Sequence, residues 1–352
     1  MDFTPTIFKV YESLRYKPPN GCYTVLAAFY LINNDRNQST IISLATGTKC
    51  LPVDKYSKTG DVVHDFHAEV LARRGAVYWL LREMQKWATS GKSEWLQYDQ
   101  EDDHWELNPN VSLHMYISEL PCGEASTRAI AHIQSIHDPE MASLKDDGPP
   151  NILDDLTPVA ARGRNAYSRF NVVRTKPGRG DAPPTNAMSC SDKIALWCAV
   201  GIQGALLSSM GMTPLYIKSI TISGVKGTQI LEDMENDIQD DCRRAFSGRL
   251  HKPDSQVHTP HILFTTCQYT QGRDRGSGKS RSSNESLCWI SDLGKEILTN
   301  GVRRGVNPKN WSNPSLSVDI RTIFGHEKSY SYVNDKASDV NDANYISVRK
   351  LR

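Results

Sequence analysis

The stretch DFHAEVLARRG, Asp65–Gly75, opens an apolar run with a histidine and a glutamate and follows them with two arginines. Val70, Val77, Leu81 and Met84 recur at helical spacing, so a helix is expected from about Phe66 to Trp87. On that phase Arg74 falls between Val70 and Val77 on the inward stripe, and His67 stands one turn ahead of Val70. A histidine and an arginine facing the core predict a buried site with a buried counter-charge, because interiors tolerate charges only when they are compensated.

Outward from this helix the chain alternates. CYTVLAAFYLINN (Cys22–Asn34) reads as either helix or strand, and STIISLATGTKCL (Ser39–Leu51) as a strand entering a Gly-Thr turn. VSLHMYISELPCG (Val111–Gly123) predicts a buried strand stopped by Pro121, and EASTRAIAHIQSI (Glu124–Ile136) the helix after it. A Pro/Gly-rich, charged stretch from roughly Asp146 to Thr185 reads as loop. CSDKIALWCAVGIQGALLSSM (Cys190–Met210) predicts one helix, and PLYIKSITISGV (Pro214–Val225) a strand. HILFTTCQY (His261–Tyr269) and SLCWISD (Ser286–Asp292) add two strands around a Gly/Ser/Arg loop. Strands alternating with helices give an α/β class, with no internal repeat.

The composition narrows the function. Of the 352 residues 39% are hydrophobic, no apolar run is expected to reach bilayer-spanning length, and MDFTPTIFKVYESLRY lacks a charged-then-apolar leader. A soluble, intracellular protein is expected, in which eight cysteines stay reduced and serve as ligands or catalytic groups rather than as a disulfide scaffold. The net charge of +1 argues weakly against a dedicated nucleic-acid surface, yet basic residues cluster in Ala161–Gly180, Gly272–Arg281 and Val302–Lys309. GRDRGSGKS (Gly272–Ser280) imitates a phosphate-binding loop, but its spacing is one residue off and no helix follows.

His67-Ala68-Glu69 followed fifty-five positions later by Pro121-Cys122 is the order of the zinc deaminase signature. A catalytic zinc takes three protein ligands and leaves one position open, and helix N-termini favour thiolates. Glu69, about 200° round the helix from His67, is displaced sideways from a metal held by His67 and is free to carry protons. The usual second cysteine is absent, since Ala125 occupies its place. Cys190, opening its own helix, is the best candidate for the third ligand, with mid-helix Cys198 behind it. Lys193 and Trp197 share the face of Cys190, so Arg73, Arg74 and Lys193 converge near two ligands and ask for a polyanion such as phosphate.

HAE with its two arginines, PCG, and above all MSCSDKIALWCAVGIQGALLS (Met188–Ser208) resemble the catalytic domain of the ADAR family of RNA adenosine deaminases. The likeness runs from GCYTVLAAF through ATGTKC to the carboxyl end, and implies a single deaminase domain over residues 1–352 with a cytidine-deaminase-like core: a mixed sheet flanked by helices. It implies zinc held by His67, Cys122 and Cys190, with Glu69 as proton carrier. It also implies a buried inositol hexakisphosphate touched by Arg73, Arg74, Lys193, Trp197, Arg304, Tyr332, Lys336, Tyr345 and Arg349, with Asp65 linking it to the metal through Lys193. Leu196 departs from the pattern, standing where an arginine contact is common.

Within the family, the short lead before GCYTVLAAF and the short loop before SCSDK resemble the tRNA deaminases, whose substrate is adenosine 37 beside the anticodon of alanine tRNA. An excised domain of a double-stranded RNA editing enzyme is the alternative. The tRNA reading places the chain in the nucleus or cytoplasm of a eukaryote and sets Thr48 and Lys49 near the target nucleotide. Arg162, Arg164, Arg169, Arg174, Lys176 and Arg179 are then expected to grip phosphates of the anticodon arm. Two other readings compete: a structural zinc site, which needs a fourth protein ligand, and a free-nucleoside or cytidine deaminase, which the broken cysteine pair disfavours.

Overall fold

An eight-stranded mixed sheet organises the molecule, in a computed structural model that describes residues 2–56, 62–137, 160–163, 170–177, 182–227, 231–250, 257–273 and 281–304, with short strands at 330–332 and 348–350. In chain order its strands are β1 (Leu26–Asn33), β2 (Gln38–Thr46), β3 (Val111–Ile117), β4 (Ile217–Ile222), β5 (His261–Phe264), β6 (Glu285–Ile290), β7 (Gly294–Thr299) and β8 (Val302–Arg303). Their spatial order is β5-β4-β3-β1-β2-β6-β7-β8. β3, β4 and β5 are parallel, and every other neighbouring pair is antiparallel.

β1 is covered on both faces, which explains why its sequence shows no alternation of apolar and polar residues. Ala27, Phe29 and Leu31 join the larger core under helix α2 (Ala68–Ser90), while Leu26, Ala28 and Tyr30 meet Ile7 and Tyr11 of helix α1 (Thr4–Ser13) on the other face. Helix α2 presses close to the sheet. A Cβ at Gly75 would lie 2.9 Å from Ser43 Cβ, and Ser43 Oγ donates to Ala72 O at 2.7 Å. Small residues therefore carry the part of its buried face nearest the sheet, Ala68, Ala72, Gly75 and Ala76, with Leu71, Trp79 and Leu80 buried around them. The sequence expectation was out of phase here, for Val70 and Val77 are only half-buried and Arg74 is exposed.

The helices after Cys122 and Cys190 stand at the same end of the sheet as the start of α2. A single helical turn at Glu124–Ser126 runs into α3 (Thr127–His137), and Cys190 begins α4 (Cys190–Val200). The helix expected to reach Met210 breaks at Gly201 (φ +83°) and resumes as α5 (Gly204–Ser209). A side chain at Gly201 would collide with Gln203 Oε1 at 2.1 Å and Leu215 N at 2.7 Å, so only glycine fits the break. By length and composition Cys190–Ser209 does reach bilayer-crossing size, against the sequence expectation, yet it packs Ile194, Trp197, Cys198 and Leu207 into the core. Helix α6 (Glu235–Arg243) continues into a wide turn at Arg244–Gly248 beside α4. Within the stretch expected to be loop, Ala160–Arg162 and Val173–Thr175 pair as parallel strands.

Candidate active site

Three segments remote in sequence meet where β2 and β3 end. The chain leaves β2 through Gly47, whose N–H donates to Val25 O (3.1 Å) and whose carbonyl accepts from Ala68 N (3.1 Å). A Cβ at Gly47 would strike Phe66 O, so glycine is required for this approach. His67 caps α2 with extended backbone, and its Nδ1 lies 2.9 Å from Asp65 Oδ1. That bond reserves Nε2 for a ligand and fixes the ring, the usual device for a metal-binding imidazole. Cys122 Sγ accepts from Cys190 N at 3.3 Å, and Ser191 N donates to Cys122 O at 2.9 Å, locking the two cysteine-bearing turns together.

The electrostatics mark this cluster out. A hydrogen bond from Cys190, with Lys176 and His67 close by, holds the Cys122 thiol well below its ordinary value although burial opposes this. Burial, and the thiolate character of Cys122, push Cys190 well above its own. Burial and Lys176 work against a charged His67, but Asp65 and Cys122 outweigh them and raise it to about 9. Burial works against the Asp65 anion too, yet Lys176, His67 and Lys193 keep it well below the carboxylate range. Glu69 is 4% exposed; burial, with Cys122, raises its pKa while His67 pulls the other way, and its Oε2 has no hydrogen-bond partner.

Two thiols, one imidazole with a fixed tautomer and an unsatisfied buried carboxyl oxygen suit a zinc ion with one open position. A different trio of ligand atoms, from Asp99, Asp102 and His104, lies at an exposed hairpin turn away from this cluster.

Around the cluster the structure sorts the remaining residues singled out by the sequence. Lys193 Nζ bonds Asp65 Oδ2, linking α4 to the head of α2. Arg73 Nε donates to Ile202 O at 2.8 Å, and its guanidinium lies 5.8 Å from the centre of the buried Trp197 ring. Burial above all, with Arg74 beside it, lowers Arg73 to about 10, and no carboxylate pairs with it among the described residues. Arg304, by contrast, is 65% exposed and faces Glu285 at 3.6 Å. Leu196 is exposed. Thr48 and Lys49 are half-buried on the turn after β2, where Thr48 Oγ1 donates to Ser283 O and Lys49 O accepts from Phe66 N.

Two residues expected on the RNA face lie inside. Arg174 is 1% exposed, donates to Gly163 O and binds Asp192 through its backbone N–H. Lys176 is 2% exposed and reaches both Asp65 Oδ2 (2.7 Å) and Cys190 Sγ (3.2 Å). Neither can touch a phosphate outside the protein. Arg164, Arg169, Arg179, Lys336 and Tyr345, and the side chains of Arg162, Tyr332 and Arg349, lie outside the described residues.

Sequence reasoning missed the frame that orients the two cysteines. Glu124, fully buried two positions after Cys122, pairs with Arg244 Nε (2.8 Å) and Arg249 Nη1 (3.4 Å). Arg249 Nη2 also reaches Asp192 Oδ1 at 2.6 Å, two positions after Cys190. The only sequence signal was an acidic residue two places after each cysteine.

Residues 43–321 match the family of the adenosine-deaminase (editase) domain. Among similar proteins, the tRNA-specific adenosine deaminase 1 of Saccharomyces cerevisiae is 30% identical over 301 residues, which cover 83% of this chain and 71% of that protein. The protein of the same name from Drosophila melanogaster is 30% identical over 354 residues, 95% of this chain and 82% of its own length. The double-stranded RNA-specific adenosine deaminase of Mus musculus is 30% identical over 296 residues, 80% of this chain but 24% of that protein.

Proposed function

Since the chain belongs to the adenosine-deaminase (editase) domain family and is an adenosine deaminase, we propose that it converts adenosine to inosine in tRNA, at position 37 beside the anticodon of alanine tRNA. The tRNA-specific relatives, matched over 83% and 95% of the chain, and the short loop before SCSDK support tRNA over long duplexes. One observation carries the chemistry: a buried glutamate with an unsatisfied oxygen beside an imidazole and two thiols.

His67, Cys122 and Cys190 would hold zinc, in a core of the cytidine-deaminase kind. When bound, zinc supplies the Lewis acidity that activates water near neutral pH. Glu69 takes a proton from the attacking water as its oxygen bonds to C6 and delivers that proton to N1 of adenine; it then takes the remaining proton from the added oxygen and passes it to the amine as the C6–N bond breaks, so that ammonia departs and the C6 carbonyl of inosine remains. Its raised pKa suits both halves of that transfer. Asp65 holds the His67 ring in place, and Lys176 and Lys193 balance the Asp65 charge. Thr48 and Lys49 stand at the rim to meet the target nucleotide. An anticodon-loop base is unpaired, so extruding it costs less than flipping one from a duplex.

The half-buried Arg73 guanidinium against Trp197, unpaired with any carboxylate among the described residues, fits an inositol hexakisphosphate that would supply a counter-charge. Arg74 and Arg304, both exposed, contribute less to that enclosure than their sequence positions suggest.

Incubating the purified chain and its Glu69→Ala variant with unmodified tRNA tests the reading. Sequencing should show adenosine-to-guanosine read changes at position 37, reduced at least a hundredfold in the variant with zinc content unchanged. Editing of a long duplex with tRNA untouched would overturn the tRNA assignment.

A further inference from the structure

The sheet brings together, at one end, the amino ends of β1 and β6 and the carboxyl ends of β2 and β3, because β1 runs antiparallel to β2 and β3, and β6 antiparallel to β2. The segments entering and leaving those ends form a continuous rim beside Glu69. Ala68 N–H bonds Gly47, and Gly47 N–H bonds Val25. Two residues before Val25, the strand Cys22–Tyr23 pairs with Arg281–Ser282, and Ser283 N–H donates to Tyr23 O. On this rim Arg273 lies over the Tyr23 ring, its guanidinium carbon 4.7 Å from the ring centre and its Nη2 bonded to the tyrosine hydroxyl. Arg273 is exposed, Tyr23 half-buried, and Arg281 exposed with no carboxylate paired to it among the described residues.

We propose that Tyr23 and Arg273 form a stacking platform for a nucleotide flanking the target adenosine, with Arg281 holding a neighbouring phosphate. The hydroxyl bond and the ring together hold the guanidinium on the rim, with its exposed side open to a base, the kind of contact used for unpaired RNA. A guanidinium held beside an aromatic ring accepts any base, so it positions single-stranded RNA without reading sequence, and Arg281 adds a charge that tracks the backbone. This rests on the RNA reading of the active site and adds the place where the strand next to the target lies.

The test is binding of a short single-stranded oligoadenylate, followed by fluorescence anisotropy, on the full chain carrying Glu69→Ala. Arg273→Ala and Tyr23→Ala should each weaken binding by roughly tenfold to a hundredfold, the range of one base–aromatic stack. Tyr23→Phe should keep most of the affinity because the ring remains. Arg281→Ala should lower the slope of log affinity against log salt by about 0.7. In the active chain, Arg273→Ala should raise KM for tRNA far more than it changes kcat. Wild-type affinity in Arg273→Ala, an exposed position whose replacement leaves the core intact, overturns the platform, as does failure of the parent chain to bind the oligonucleotide. Oligonucleotide binding that depends on Arg273, in a chain that leaves tRNA unedited, would keep the platform and refute the tRNA assignment instead.

Discussion

Lys176 shows how far a residue's role depends on where the chain takes it. In sequence it belongs to a basic, Gly/Pro-rich stretch and reads as a phosphate contact; in the structure it is enclosed by Asp65 and Cys190. Lys176→Met keeps the stem and deletes a charge that balances a buried carboxylate, a loss of about 3–5 kcal/mol when a buried pair is broken. Urea denaturation should show that loss, while the salt dependence of RNA binding stays as in the parent; unchanged stability with a shallower salt slope would restore the phosphate role. The meeting of His67, Glu69, Cys122 and Cys190 was legible, because ligand types at helix starts announce themselves by spacing. The burial of Arg174 and Lys176 was not, because their partners lie in other segments and no local pattern encodes them. Arg74 was misplaced for a different reason: the large aliphatics on α2 suggested one phase, while Ala72, Gly75 and Ala76 show that the close approach to the sheet belongs to small residues.

Among the elements, the helices starting at Cys122 and Cys190 are held by charges rather than by apolar contact alone. Arg249, 5% exposed, bonds Glu124, Asp192 and the carbonyls of Val172 and Ala245, so it joins both helix starts to the turn after α6. Arg249→Met would leave Glu124 with Arg244 alone and Asp192 without its ion pair. A destabilisation of about 3–5 kcal/mol is expected. Zinc competition against a chelator should also show affinity weakened by about tenfold or more, as when a ligand's supporting bonds are removed. Full zinc affinity in a destabilised variant would make the clamp purely structural. The helix starts were readable from Pro121-Cys122-Gly123 and Ser189-Cys190-Ser191. The break at Gly201 was obscured by the apolar run that continues across it, and β1 was ambiguous because burial on both faces erases period-two alternation.

For the molecule as a whole, the half-buried Arg73 raises the question of charge balance. An arginine packed against Trp197 with no carboxylate partner among the described residues suits a bound anion, and the proposed inositol hexakisphosphate would supply it. Acid denaturation of the purified protein should release inositol hexakisphosphate in about equimolar amount, detectable by mass spectrometry, and Arg73→Met should lower the yield of folded protein. An extract free of inositol phosphates would show that Arg73 is balanced some other way. The α/β class and the alternation of elements could be read directly, since apolar runs broken by Gly, Pro and charged turns alternate with helical spacings along the chain. The order of the sheet could not, because pairing β6 between β2 and β7 depends on contacts across more than 200 positions.

The same sheet that gathers the reactive groups at one end leaves the other end idle. The β1–β2 hairpin turns at Asn34–Asn37 on the side away from Glu69, with its tip exposed and Asn37 in a left-handed conformation. Exposed loop tips tolerate insertion when their backbone supports little else. A fluorophore, affinity peptide or guide-RNA-binding module grafted between Asp35 and Asn37 would therefore ride behind the catalytic rim, turning the enzyme into a tethered tool without crowding its substrate.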